Sequence, residues 1–288
     1  MARHLRSSAR FARGRSALLD RQLPEAEAAF RQAVFADDSW APPMIELVNV
    51  LTRTGGFDEA LRFARRAQQA EPDFWLSAIA AGSVFANQGN LNEAITVYQA
   101  ASARYDVPLV KADLALAYHA ARHDELAEKL AKETLSRDPH VAAAIIVLAE
   151  QALEARAWST ARRYTQQLVD DDVTSVSGWL LHGDALLASG DGAQAKLTYQ
   201  RAIELFAQAP EAGVSIDHLS QVKTALGAGT LPENRYAQRS LPQRIKPAGA
   251  GGVRMDSDQP ERTAPKPQSN DCRCASGDLI CRMRCSAQ

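Results

Sequence analysis

Six alanines, Ala26, Ala60, Ala94, Ala127, Ala161 and Ala195, recur along the 288-residue chain at intervals of 34, 34, 33, 34 and 34. An interval this constant is the mark of one supersecondary unit copied in tandem. Each alanine follows a short turn carrying glycine or a charged residue, as in TGGFDEA ending at Ala60, QGNLNEA ending at Ala94 and SGDGAQA ending at Ala195. Every unit therefore reads helix, tight turn, helix. Neither helix of such a unit buries its apolar face alone, whereas stacked units form a continuous core whose stability is roughly a sum of unit and nearest-neighbour contributions. An irregular helical bundle has no reason to keep the interval.

The positions around each alanine repeat as well. Small residues such as Gly82, Ala94 and Ala101 allow two helices to approach closely, and Phe85, Leu91 and Tyr98 fill the space between units. In the sixth unit Trp179, Gly183, Ala195, Tyr199 and Ala202 fall at spaced landmarks; the second supplies Leu47, Gly55, Phe57, Ala60, Ala67 and Pro72. The fourth keeps Leu114, Ala115, Tyr118, Ala127 and Pro139, and the fifth Leu148, Ala149, Trp158 and Ala161. This pattern resembles the tetratricopeptide repeat family over residues 7–209. Departures are His182 where the family has leucine, Leu186 where it has tyrosine, and Arg10 and Arg13 at apolar positions of the first unit, as suits a terminal unit facing water. The resemblance implies an all-α, right-handed superhelical α-solenoid that binds a partner segment on its concave face.

The expected organisation is an N-terminal extension over 1–6, six repeats over 7–209 and a capping helix over 210–230. In that helix Ser215 is the N-cap, Ile216, Leu219, Val222 and Leu226 form the apolar stripe, and Gly227 is the stop. Prolines 232, 242, 247, 260, 265 and 267 with glycines 249, 251 and 252 then predict a disordered tether over 231–271, followed by a cysteine tail over 272–288. Charge divides the chain at the same place. Residues 231–288 hold ten basic and six acidic side chains, leaving 23 against 28 for the rest and a net charge of −1 overall. That balance gives no electrostatic footprint for nucleic acid. Five arginines stand in the first fifteen residues without the apolar core and small-residue cleavage site of a secretory signal; this Arg- and Ser-rich, acid-free opening also resembles an organelle transit peptide, while the same residues fit the first helix of the repeats. The longest uncharged apolar run, 141–149, is far short of the roughly 20 residues that span a bilayer. The expectation is a cytoplasmic protein with no membrane insertion.

First-helix positions give the expected concave wall: Phe11, Arg15 and Leu18; Ile45, Asn49 and Arg53; Leu76, Ile79, Ser83 and Asn87; Leu109, Leu116 and His119; Ile146, Glu150 and Glu154; Leu180, Asp184 and Leu187. This wall is largely apolar and runs from basic near Arg15 and Arg53 to acidic near Glu150, Glu154 and Asp184. Its functional reading is a groove for an extended or helical segment of another protein, oriented by charge at the two ends. Its plain reading is that several aliphatics pack on neighbouring units while the charges are solvated. The family's carboxylate clamp of lysine and asparagine is not supported, because only Asn49 fits it and Leu116, Glu150 and Asp184 follow.

No phosphate loop, dinucleotide glycine pattern, HExxH or nucleophile elbow occurs, so no enzyme is expected. His119 and His123 are four apart, but His123 falls in a turn and no third ligand joins them. Asp170, Asp171 and Asp172 read as a solvated loop, since three consecutive side chains cannot converge on one ion. All four cysteines, Cys272, Cys274, Cys281 and Cys285, lie in the tail, where three readings compete. They gather one soft metal, Zn(II) or Cu(I); they form two disulfides; or, with Arg273, Arg282 and Arg284 favouring thiolate, they are redox-active or modified. The expected function is a non-catalytic adaptor that binds a protein or peptide segment. The alternative is a metal-handling or redox carrier whose tail is the active element.

Overall fold

The computed structural model describes residues 2–20, 22–208 and 214–236, among which there are thirteen helices and no strand. They are α1 (Ala2–Leu19) and α2 (Leu23–Ala36), α3 (Ala41–Arg53) and α4 (Phe57–Ala70), α5 (Trp75–Asn87) and α6 (Leu91–Arg104), α7 (Pro108–Ala120) and α8 (Asp124–Arg137), α9 (Ala142–Glu154) and α10 (Trp158–Asp171), α11 (Val176–Ala188) and α12 (Gly192–Gln208), and α13 (Ile216–Gly227). Every helix packs on the one before it, and α3 also meets α5 and α7 meets α9. The result is an all-α solenoid built neighbour on neighbour.

All six recurring alanines lie on the second helix of a pair, and each is 0% exposed. Farther along the same pairs, bulk is exchanged across the helix–helix seam. A Cβ added at Gly14 would lie 2.5 Å from the Phe30 ring, at Gly82 2.8 Å from Tyr98, and at Gly183 2.5 Å from Tyr199. In the other three pairs the glycine position holds Val48, Ala115 or Ala149, and the aromatic position holds Ala64, Ala131 or Thr165, all buried. Only the second pair reverses the small-to-large order, and the fourth and fifth set two small residues face to face.

The turn inside each pair has its own periodic feature. In the five pairs from α3–α4 to α11–α12, positive φ occurs at Gly55, Gly89 and Gly190, and at Arg122 and Arg156 in the two of these turns that carry no glycine. A left-handed residue lets the chain reverse in so few residues, and glycine takes it without a Cβ penalty.

Several boundaries differ from those expected. The proposed extension over 1–6 contributes Ala2–Arg6 to α1, where His4 Nδ1 lies 3.2 Å from Asp37 and its ring meets Trp40 edge-on at 4.7 Å. Arg13 is exposed and Arg10 half-buried, which fits an outermost helix. Ser215 caps α13 by accepting the His218 N–H at 3.3 Å, and Leu219 and Val222 are buried. Ile216, however, is 60% exposed, because the first residue of the helix precedes the turn that contacts α12. The left-handed stop is Gly229 rather than Gly227, which stays helical. Residues 231–236, expected as the start of the tether, pack against the solenoid: Leu231 reaches Gly192, and Tyr236 is 3% exposed. The remainder of the tether and the cysteine tail, with Cys272, Cys274, Cys281 and Cys285, lie outside the described residues.

Candidate functional site

The first helices α1, α3, α5, α7, α9 and α11 carry the residues expected to form a concave wall. Many of the aliphatics are instead spent on the seams between units. Phe11 is buried between the rings of Phe30 and Trp40, at 5.8 and 5.0 Å, and Ile45, Leu76, Ile79 and Leu180 are likewise buried. Leu18, Leu109, Leu116, Ile146 and Leu187 keep half-exposed faces, and Arg53 and Asn87 stand in solvent. Asn87 Nδ2 donates to the Ser83 carbonyl and the Ser83 hydroxyl to the Ala80 carbonyl, both at 2.8 Å.

The charged members tie units together. Arg15 on α1 lies 3.5 Å from buried Glu46 on α3, and Asn49 is 3.5 Å from the same carboxylate. On α7, His119 presents Nε2 to Glu150 on α9 at 3.1 Å and Nδ1 to Asp124 at 3.3 Å. Arg122 donates to Glu154 at 2.8 Å and lies 3.4 Å from Asp124. Burial opposes a charge on His119, but the hydrogen bond and charge of Glu150, with Glu154 and Asp124 behind it, raise its pKa above the ordinary value. The acidic pole expected at Glu150 and Glu154 is thus matched by cations of the neighbouring pair.

Asp184 on α11 is buried as deeply as Glu46, at 5% exposed. Its Oδ1 accepts the Tyr199 hydroxyl at 2.7 Å and lies 3.1 Å from His218 Nε2 on α13. Its Oδ2 lies 3.1 Å from Nε of Arg235. A second nitrogen of Arg235, Nη1, is 3.4 Å from His218 Nδ1, and the third, Nη2, donates to the Tyr236 hydroxyl at 2.8 Å. Since the guanidinium has only donors, His218 Nδ1 is the acceptor and Nε2–H faces the carboxylate. Burial raises the pKa of both Tyr199 and Tyr236, and the charge of Asp184 adds to it. Tyr236 belongs to the buried cluster that holds Ile145, Ala149 and Ala152 of α9 with Leu181 and Ala185 of α11.

Arg235 and Tyr236 were not among the residues expected from sequence. Proline and polar residues around them break every periodicity, so pattern reading assigns them to the tether. The available signal was compositional: Tyr236 is the only Phe, Trp or Tyr beyond Phe206.

His123, considered beside His119 as a metal pair, is the residue before α8 and packs its ring on Tyr118 at 5.8 Å. Among the described residues no group of three or more His, Cys, Asp or Glu side chains is arranged to hold a metal ion. The three consecutive aspartates point to separate partners. Asp170 accepts from Gln166, Asp171 faces His140 at 2.8 Å, and Asp172 accepts the Thr174 N–H at 2.9 Å. Among the described residues no helix is long and apolar enough to cross a membrane.

No family model matches the sequence, and no curated protein matches it in sequence. Solved structures do match in shape. PilF of Pseudomonas aeruginosa is 17% identical, aligned over 78% of this chain and 99% of its own, with a TM-score of 0.55. PilW, a widely conserved type IV pilus biogenesis factor, is 18% identical over 75% of this chain and 98% of its own, with a TM-score of 0.54. Cut9, in the APC/C hetero-tetramer Cut9–Hcn1, is 16% identical over 75% of this chain and 42% of its own, with a TM-score of 0.58. At such identities the likeness is one of fold.

Proposed function

This chain has the tetratricopeptide solenoid fold, and we propose that it serves as a non-catalytic scaffold holding an extended segment of another protein along its wall of first helices. The observation that carries this reading is that first helices α9 and α11 already take in two residues of a non-helical stretch, Arg235 and Tyr236. A surface that buries a tyrosine and pairs an arginine from non-helical chain has the chemistry for a guest of the same kind. The half-exposed Leu109, Leu116 and Ile146 continue the apolar strip toward α7, and exposed Asn87 and Arg53 supply polar contacts farther along. Nucleic acid and membrane are not proposed as partners, and the cytoplasm is the compartment proposed.

Site-specific photo-crosslinking tests the reading. A crosslinker at Asn87, exposed on α5, is expected to capture a protein partner in the native host, while one at Leu197, exposed on the second helix α12, is not. Capture at Leu197 with none at Asn87 moves the interaction to the opposite face and overturns the reading. For the tail, the CxC and CxxxC spacings of Cys272, Cys274, Cys281 and Cys285 support a soft-metal site for Zn(II) or Cu(I), or a modified segment. Native mass spectrometry with metal analysis decides it. Apo protein without disulfide or added mass removes both roles, and the carrier alternative with them.

A further inference from the structure

Two complementary parts of the wall meet at its C-terminal end. One is an apolar cluster of α9 and α11, with Ile145, Ala149, Ala152, Leu181 and Ala185 among its members, to which buried Tyr236 belongs. The other is the Asp184 carboxylate, whose counter-cation is Arg235, 3.1 Å away. The chain that supplies both forms neither helix nor strand over residues 231–236, and the Arg235 side chain keeps 38% of its surface in water. Without Arg235 the buried carboxylate keeps the Tyr199 hydroxyl and His218 but loses its guanidinium, so a guest that brings a positive charge of its own is favoured over one that does not. An aromatic ring alone would leave the Asp184 Oδ2 side without a cation.

From this geometry, and resting on the groove reading above, we infer that the end of the wall formed by α9, α11 and α13 is a receptor for a basic–aromatic pair presented in a turn of non-helical peptide, that Arg235–Tyr236 is its resident occupant, and that a partner segment carrying the same pair enters by displacing it. The resident acts as a tethered competitor. It lowers the apparent affinity for any guest by the fraction of time it holds the site and selects against guests that cannot match both parts.

The probe is a fluorescent synthetic peptide of residues 229–240, GTLPENRYAQRS, titrated by anisotropy into the full chain. A resident that holds the site about 90% of the time makes the peptide bind about tenfold more tightly to the Arg235→Ala/Tyr236→Ala chain than to the wild type. Adding Asp184→Asn to that chain, or exchanging the peptide's arginine at position 235 for glutamate, abolishes the gain. Equal affinity for the two chains, or binding indifferent to Asp184, overturns the inference. If the double variant loses helical circular dichroism, the wild-type chain decides alone: saturating peptide must speed amide exchange in residues 231–236, and unchanged exchange overturns the proposal. Failure of the peptide while Asn87 still crosslinks a partner removes this inference and leaves the groove reading. Failure of both removes both.

Discussion

His119 and His182, both buried on first helices, hold their protons in opposite senses. Glu150 and its acidic neighbours raise the first, so the tie it forms stabilises the fold below the ordinary histidine value and is lost as pH rises through the raised one. Burial lowers the second, aided by Arg162, with His182 Nδ1 set 2.9 Å from the Thr165 hydroxyl. The stability it contributes as a neutral ring is present above the ordinary value and lost as pH falls. The two slopes oppose each other in the wild type. His182→Gln is expected to expose a stability that declines with rising pH over about pH 5 to 8, and His119→Gln one that declines with falling pH, read as urea midpoints. Backbone effects at single residues are as separable. Gly89→Ala puts a Cβ into open space but at φ +80, so its cost of about 1–2 kcal/mol is conformational alone. The glycine turns were legible from sequence because glycine announces them. Arg122 and Arg156 were not, since arginine carries no sign of a left-handed backbone.

At the scale of the helix pair, the seam decides which residues are interchangeable. Gly82→Ala drives a methyl to within 2.8 Å of the Tyr98 ring and is expected to cost about 1–3 kcal/mol. Combined with Tyr98→Thr, which copies the Ala149 and Thr165 seam of the fifth pair, its cost should fall well below the sum of the single changes. A coupling of about 1–2 kcal/mol in a double-mutant cycle is the expected reading, and strict additivity would refute the exchange of bulk. Helix pairs and buried alanines were readable because their spacing is set by the geometry of one repeated unit. Helix ends were less so: the first turns of α1 owe their place to contacts such as that of His4 with Trp40, and Gly229 its role to a backbone angle that composition does not encode. The wall was half readable. Period told which residues stand on first helices, but not that Ile45, Ile79 and Leu180 would be consumed by seams, or that Glu150, Glu154 and Asp184 would meet cations from other pairs.

Over the whole molecule, stability propagates between neighbours, so an alteration at one end should stay there. Ending the chain after Thr230 removes a buried tyrosine worth about 2 kcal/mol and the cation of Asp184. Amide exchange is expected to quicken in α9 to α13 and remain unchanged in α1 to α6; a uniform loss of protection would contradict a neighbour-limited solenoid. This end of the molecule was the least legible in sequence, because a lone Arg–Tyr pair among prolines acquires meaning only from a distant carboxylate. Its placement also fixes the path of residues 231–236 beyond α13. With Tyr236 docked, that stretch ends among side chains of α9 and α11; with it undocked, six extended residues reach up to about 20 Å from the end of the cap. Groove occupancy therefore decides whether this stretch is held or loose, like a mooring line made fast whenever the berth is empty.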